Sequence, residues 1–89
     1  MAGSSGPVRI RLFGPARTAF GTASTTAPAG RVADVVASLL AGATPEQVAV
    51  VATCGRWVNG EPAADETALD AGDELALLPP VSGGSGGTP

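Results

Sequence analysis

One aliphatic stripe constrains the fold of this chain more than any other feature. Val32, Val35, Val36, Leu39 and Leu40 fall at i, i+3, i+4, i+7 and i+8, the spacing that lines one face of an α-helix. The helix is expected over residues 31–41. Asp34 sits in its first turn, where the helix dipole favours an anion, and Gly42 is its stop. Such a helix needs an apolar surface to cover, and the chain has few side chains to build one. Of its 89 residues, 17 are alanine, and Leu, Ile, Val and Phe together number 19. That is about 21%, just above the level at which a chain fails to form a core. One small domain of marginal stability is the expectation.

The partner surface is a sheet. Val8, Ile10 and Leu12 alternate with Arg9, Arg11 and Phe13, a period of two that reads as a strand, and Gly14-Pro15 stops it. Residues 22–27 read as a second, antiparallel strand ended by Pro28. Thr44-Pro45-Glu46-Gln47 is a capping box with proline at the first helical position. It opens a short helix, although the β-branched run Val48–Ala52 is also compatible with a strand. Asn59-Gly60 is a hairpin-turn dipeptide, with one strand ending at Val58 and another following the turn. Asp70-Ala71-Gly72-Asp73 is a further turn. Glu74–Leu78 is apolar nearly throughout, as in a strand buried on both faces, and Pro79-Pro80 ends it in a stiff extension.

This order lets the last strand lie beside the first, with the main helix across one face of the sheet. The fold class is therefore α+β, a β-grasp (ubiquitin-like) arrangement. It has a mixed sheet of four to five strands, one main helix and a short second helix. Residues 1–6 read as a flexible leader, 7–81 as the domain and 82–89 as a flexible glycine-rich tail. The sheet face away from the helix shows Phe13 and part of Leu75–Leu78 to solvent, and exposed apolar surface on so small a protein marks a partner site.

Composition removes whole classes of function. With no histidine, Ser-His-Asp and Cys-His catalysis and histidine metal ligation are excluded. A single cysteine excludes an internal disulfide, a CxxC redox pair and a structural zinc site. A net charge of −3 with five scattered arginines argues against nucleic acid as a partner. No apolar run approaches the roughly 20 residues that span a bilayer, so no membrane partner is expected. The first six residues lack the basic and apolar regions of a secretory signal. The cytoplasm is the expected location, where a lone unpaired cysteine is ordinary.

The chemistry points to the tail. An apolar strand, a Pro-Pro spacer and then Ser82, Gly83 and Gly84 lead away from the domain. A backbone without Cβ atoms fits a narrow channel, and a terminal glycine carboxylate is an unhindered acyl group. The same Ser-Gly-Gly-Ser-Gly-Gly composition also describes a flexible linker or a cloning scar.

Several strings in order break that tie. Val8-Arg-Ile-Arg-Leu-Phe-Gly14 with Ala16-Arg17, Trp57-Val-Asn-Gly60, Leu69-x-x-Gly72-Asp73-Glu74 and above all Leu78-Pro-Pro-Val-Ser-Gly-Gly84 resemble the MoaD/ThiS family of ubiquitin-like sulfur carriers. The ending looks most like the MoaD branch, the small subunit of molybdopterin synthase. The likeness covers about residues 7–84. It implies that Gly84, preceded by Gly83, is adenylated by a ubiquitin-activating-type enzyme using ATP and converted to a thiocarboxylate. The tail then enters the large subunit of molybdopterin synthase and gives its sulfur to cyclic pyranopterin monophosphate in molybdenum cofactor biosynthesis. The carrier itself binds no cofactor, and it is a sulfur-donating subunit rather than a catalyst alone.

Family members end at the double glycine, whereas here Ser85–Pro89 follow. Either a protease trims them, or Gly86-Gly87 is the working pair after loss of Thr88-Pro89, or the chain is no sulfur donor. Two rival readings stand beside the first. One is a carrier for another pathway (cysteine, thiamin or a sulfur-containing secondary metabolite), and the other is a non-catalytic β-grasp interaction module. The absence of lysine rules out lysine-linked chains and so favours a carrier over a chain-forming tag.

The expected docking residues are Arg11, Phe13, Leu77, Pro79, Pro80, Val81 and Ser82, with Arg9 and Arg17 completing a charged rim. Cys54 reads as a small, partly buried apolar residue or as a thiol that receives or passes sulfur. Trp57 reads as packing or as part of a partner surface. Asp65, Glu66, Asp70, Asp73 and Glu74 form an acidic stretch that reads as solvated surface more readily than as paired acid–base groups.

Overall fold

A computed structural model describes residues 6–80. The elements are β1 (Pro7–Leu12), α1 (Gly14–Phe20), β2 (Ser24–Pro28), β3 (Gly30–Arg31), α2 (Val32–Leu40), α3 (Pro45–Thr53), β4 (Gly55–Val58), β5 (Glu61–Pro62), β6 (Ala68–Leu69) and β7 (Glu74–Leu78). Five strands form a mixed sheet in the order β2-β1-β7-β4-β5, and β3 and β6 form a small second ladder. This is the β-grasp arrangement expected from the sequence. The leader, apart from Gly6, and residues 81–89 lie outside the described residues.

The first and last strands pair in parallel at the centre, with Ile10 opposite Leu75 and Leu12 opposite Leu77. β2 runs antiparallel along the other side of β1, and β4 runs antiparallel along β7. Period-two alternation then sorts the side chains. Val8, Ile10, Leu12, Leu75 and Leu77 are all essentially fully buried on one face. The α2 stripe covers that face through Val32, Val35 and Val36, while Val51 of α3, Ala16 of α1 and Leu69 of β6 close its edges. Each such aliphatic side chain contributes roughly 1.5–3 kcal/mol by leaving water.

The helix starts are built from backbone donors and short side chains. The Asp34 carboxylate accepts the Arg31 N–H at 3.2 Å. The carbonyls of Thr67 and Asp65 accept the N–H groups of Val32 and Ala33 at 2.8 and 3.1 Å, which satisfies donors that a helix N-terminus leaves open. The capping box of α3 forms as expected. Gln47 N–H donates to Thr44 Oγ1 at 3.1 Å, and Thr44 N–H donates to Gln47 Oε1 at 2.9 Å. The Gln47 amide also donates to the Ala19 carbonyl at 3.0 Å, which ties α3 to the end of α1. At the hairpin, Asn59 (φ 50°) and Gly60 (φ 87°) occupy the left-handed region, as a type I′ turn requires.

Three expectations need correction. Gly14-Pro15 does stop β1, but it also opens α1, an unexpected third helix. Proline is favoured in the first turn of a helix, and Gly21 (φ 72°) closes it by donating to the Arg17 carbonyl. The second expected helix is as long as the first, nine residues each. Finally, β7 is buried on one face only. Leu75 and Leu77 are in the core, whereas Glu74, Ala76 and Leu78 are half-buried on the other side.

Two substitutions test this arrangement by chemical denaturation. Leu75→Ala, at the centre of the sheet, should lose about 2–5 kcal/mol through lost transfer energy and a cavity. Thr44→Ala removes only the α3 cap and should lose about 1 kcal/mol.

Candidate functional site

The same alternation that fills the core defines the opposite face of the sheet. From β1 it carries Arg9, Arg11 and, one step beyond the strand, Phe13. From β7 it carries Glu74, Ala76 and Leu78. Trp57 stands opposite Ala76 and also pairs with Pro62. Arg11, Phe13, Trp57, Ala76 and Leu78 are all half-buried, and among the described residues no helix covers this face. The result is an apolar strip flanked by charge.

Local contacts tie the strip's side chains to one another. The Trp57 indole lies across Gly55, where a Cβ would stand 3.5 Å from Nε1. The Arg11 guanidinium sits 5.4 Å from the centre of the Phe13 ring, within the range of a cation–π contact. Its Nη1 is also 3.6 Å from Glu74 Oε2. Their side chains are still 42% and 37% exposed, so solvent screens the ion pair and it contributes little to stability. Its effect is to fix where the charge sits beside the apolar strip.

The chain leaves the sheet at one end of this strip. Leu78 makes the last ladder pair, with Gly55. Pro79 and Pro80 follow, both exposed, and the Pro79 ring rests against Gly14, where a Cβ would come within 3.3 Å of Cγ. Phe13, Gly14, Leu78 and Pro79 thus surround the point of exit.

The expected docking residues divide accordingly. Arg11, Phe13, Pro79 and Pro80 are brought together on this face and its end. Arg9 joins them on the face, and Arg17 stands exposed on α1. Leu77 is corrected: it is 0% exposed and belongs to the core, because it faces the helices opposite Leu12. Its neighbours Ala76 and Leu78 hold the place on the outer face expected of it. Val81, Ser82, Gly83 and Gly84 lie outside the described residues. Sequence reasoning passed over Gly14, Gly55 and Leu78. The signal for Leu78 was present, since alternation from Leu75 and Leu77 sends it outward.

The remaining singled-out residues serve the fold. Cys54 is buried, and its thiol donates to the Val50 carbonyl at 3.4 Å. Burial pushes its ionisation up and the nearby Arg56 pulls it partly back. Arg56 Nη1 donates to the Val51 and Cys54 carbonyls at 2.8 and 2.6 Å, closing the C-terminus of α3. In the acidic stretch, the Asp73 carboxylate accepts the Asp70 N–H at 2.8 Å, which makes it a turn closure. A shallow open depression lined by Pro7, Arg9, Thr26 and Glu74 lies at the far end of the strands from the tail. Among the described residues no His/Cys/Asp/Glu group is placed to hold a metal ion, and no helix is long and apolar enough to cross a membrane.

The sequence matches the ThiS family over residues 10–84. The chain belongs to that family. It is thereby one of the ubiquitin-like sulfur carriers and modifiers. Solved structures agree. The chain is similar to small archaeal modifier protein 1 of Haloferax volcanii, at 33% identity and TM-score 0.75, over 89% of this chain and 100% of that one. It is similar to the protein of the same name from Methanosarcina acetivorans, at 29% identity and TM-score 0.78, over 92% and 100%. A complex of subunits 1 and 2 of the molybdopterin-converting factor of Helicobacter pylori matches at 25% identity and TM-score 0.64, over 88% and 99%. No curated protein matches the sequence.

The burial of Cys54 has a measurable consequence. Its thiol should react with a disulfide reagent at the rate of global or local opening, and rapidly once the chain is unfolded. In the unfolded chain the thiol ionises at its ordinary value, whereas burial makes it ionise higher in the folded chain. Stability should therefore be full below that pH and decline as pH rises past it, and Cys54→Ala should flatten the decline.

Proposed function

We propose that this protein is a sulfur carrier acting through its C-terminal tail, with Gly84 as the acyl terminus once residues 85–89 are removed. The observation that carries this reading is the family match, which ends on Gly84, five residues before the last residue of the sequence. The geometry supports it: the β7 strand delivers the tail from the edge of an apolar, charge-flanked docking face.

The chemistry needs no acid, base or metal from the carrier. A ubiquitin-activating-type enzyme joins the Gly84 carboxylate to the AMP of ATP and releases pyrophosphate. Hydrosulfide then attacks the acyl carbon and displaces AMP, leaving a thiocarboxylate with no change of oxidation state. Glycine places no Cβ beside the carbonyl in either step. While Ser85 is joined to Gly84 by an amide, no carboxylate is present to activate, so trimming by a protease comes first.

The destination we favour is the large subunit of a molybdopterin synthase, with sulfur passing to the pterin precursor of the molybdenum cofactor. The Helicobacter pylori complex supports this, because it joins a similar chain to its second subunit. A second reading is supported by the higher identity to small archaeal modifier protein 1, 33% against 25%. Under it, the same activated Gly84 serves another sulfur pathway or is attached to other proteins.

Intact mass of the protein recovered from its native cell tests the reading. The expected chain ends at Gly84, and a fraction of it carries sulfur in place of one carboxyl oxygen. A chain ending at Pro89 under every condition, including alongside its activating enzyme and ATP, would refute it. Gly84→Leu should abolish loading while leaving the unfolding midpoint unchanged. Sulfur transfer to the pterin precursor against attachment to proteins separates the two destinations.

A further inference from the structure

The strand order β2-β1-β7-β4-β5 puts β2 and β5 at the edges of the sheet. An open edge is a row of unpaired backbone groups on which another strand can form. In an antiparallel pair, successive residues turn their backbone groups alternately towards the neighbour and away from it. The Leu12 N–H donates to the Ala23 carbonyl at 2.8 Å, whereas the Arg9 N–H turns the other way, to the Asp73 carbonyl at 2.9 Å. Val8, Ile10 and Leu12 therefore bond towards β2, where their counterparts are Ala27, Thr25 and Ala23. Ser24, Thr26 and Pro28 turn their backbone groups outward.

This outward row is stopped at each end. Pro28 has no N–H to offer. At the other end, the Thr22 hydroxyl donates to the Ser24 carbonyl at 3.0 Å and accepts the Ser24 N–H at 3.4 Å. Between them, only Thr26 keeps both its groups open among the described residues. The β5 edge is closed in the same sense. Glu61 pairs with Val58, and the Ala63 N–H donates to the Arg56 carbonyl at 2.9 Å. The residue between them, Pro62, faces outward, again without a donor. Charged side chains are a common block on an edge strand, but β2 reads Ser24-Thr25-Thr26-Ala27-Pro28 and carries none. Its threonines favour pairing, so the block has to come from elsewhere.

We infer that the Thr22 hydroxyl is an edge guard: by holding both outward backbone groups of Ser24, it keeps β2 from pairing with the β2 strand of a second copy of this chain. A second copy fits because the edge is complementary to itself. In an antiparallel pair about a twofold axis at Thr26, each Thr26 bonds to its counterpart, and each Ser24 N–H meets the Pro28 carbonyl of the other copy. While Thr22 holds Ser24, only the Thr26 bonds remain. Releasing Ser24 lengthens the ladder at both ends at once.

The full-length chain tests this without reference to its tail, so the outcome stands apart from the reading of Gly84. Thr22 and Pro28 are exposed, and substitutions there leave the core intact. In the monomer, Thr22→Val should speed amide exchange at Ser24, and unchanged exchange would overturn the inference. Self-association is then read by sedimentation equilibrium. The unsubstituted chain should stay monomeric up to about 1 mM; a dimer paired through β2 would overturn the guard. Pro28→Val supplies the missing donor and sensitises the edge. In that background, Thr22→Val should lower the dimer dissociation constant at least about tenfold, whereas Thr22→Ser, which keeps a hydroxyl, should not. Amide exchange at Ser24 and Thr26 should slow in the dimer. Equal dissociation constants in the three chains, no dimer in any of them, or a dimer that leaves exchange at Ser24 and Thr26 unchanged would each overturn the inference.

Discussion

The parallel pairing of β1 with β7 is the constraint on which the rest of the molecule depends. It places the first and last strands side by side at the centre of the sheet, where Ile10, Leu12, Leu75 and Leu77 are essentially fully buried. Parallel neighbours cannot be joined by a tight turn, so everything between them has to cross over. That crossing carries α2 across one face and supplies β4 and β5 at the far edge. It also fixes that β7 ends beside the place where β1 turns into α1. The proximity of Pro79 to Gly14 is a consequence of the topology.

The two faces of the sheet divide the few large side chains between stability and recognition. A chain with 19 Leu, Ile, Val and Phe residues has none to spare, yet Phe13 and Leu78 stay on the outer face with Trp57. Had the outer positions of β1 and β7 all been polar, the strip would be an ordinary solvated face. Instead Arg9 and Glu74 occupy the end where the strands begin, Arg11 stands beside Phe13, and the large apolar side chains gather towards the exit of the chain. The apolar end of the strip and the point where the chain leaves the sheet, after Leu78, lie at the same end of β7.

The sequence was most legible where a local period and a local cap agree. The alternation in Val8–Phe13, the stripe of α2 and the capping box of α3 each state their structure within a dozen residues. The hidden parts depend on what lies across the fold. α1 was missed because Gly14-Pro15 stops a strand and starts a helix with the same two residues, and only the pocket that takes Ala16 decides between them. β7 read as buried on both faces because its composition does not reveal that a single helical layer covers the sheet. Leu77 and Leu78 exchanged roles for that reason. Gly14 and Gly55 carried no local sign at all, since each matters through a ring, Pro79 or Trp57, that reaches it in space.

Most of what this fold does for a carrier lies in where it puts a backbone. Cys54 is sunk beneath the end of α3, Asp73 closes a turn and Arg56 closes a helix, so the conspicuous reactive and charged groups are used up in holding the domain together. The outer face offers only apolar contact and fixed charge.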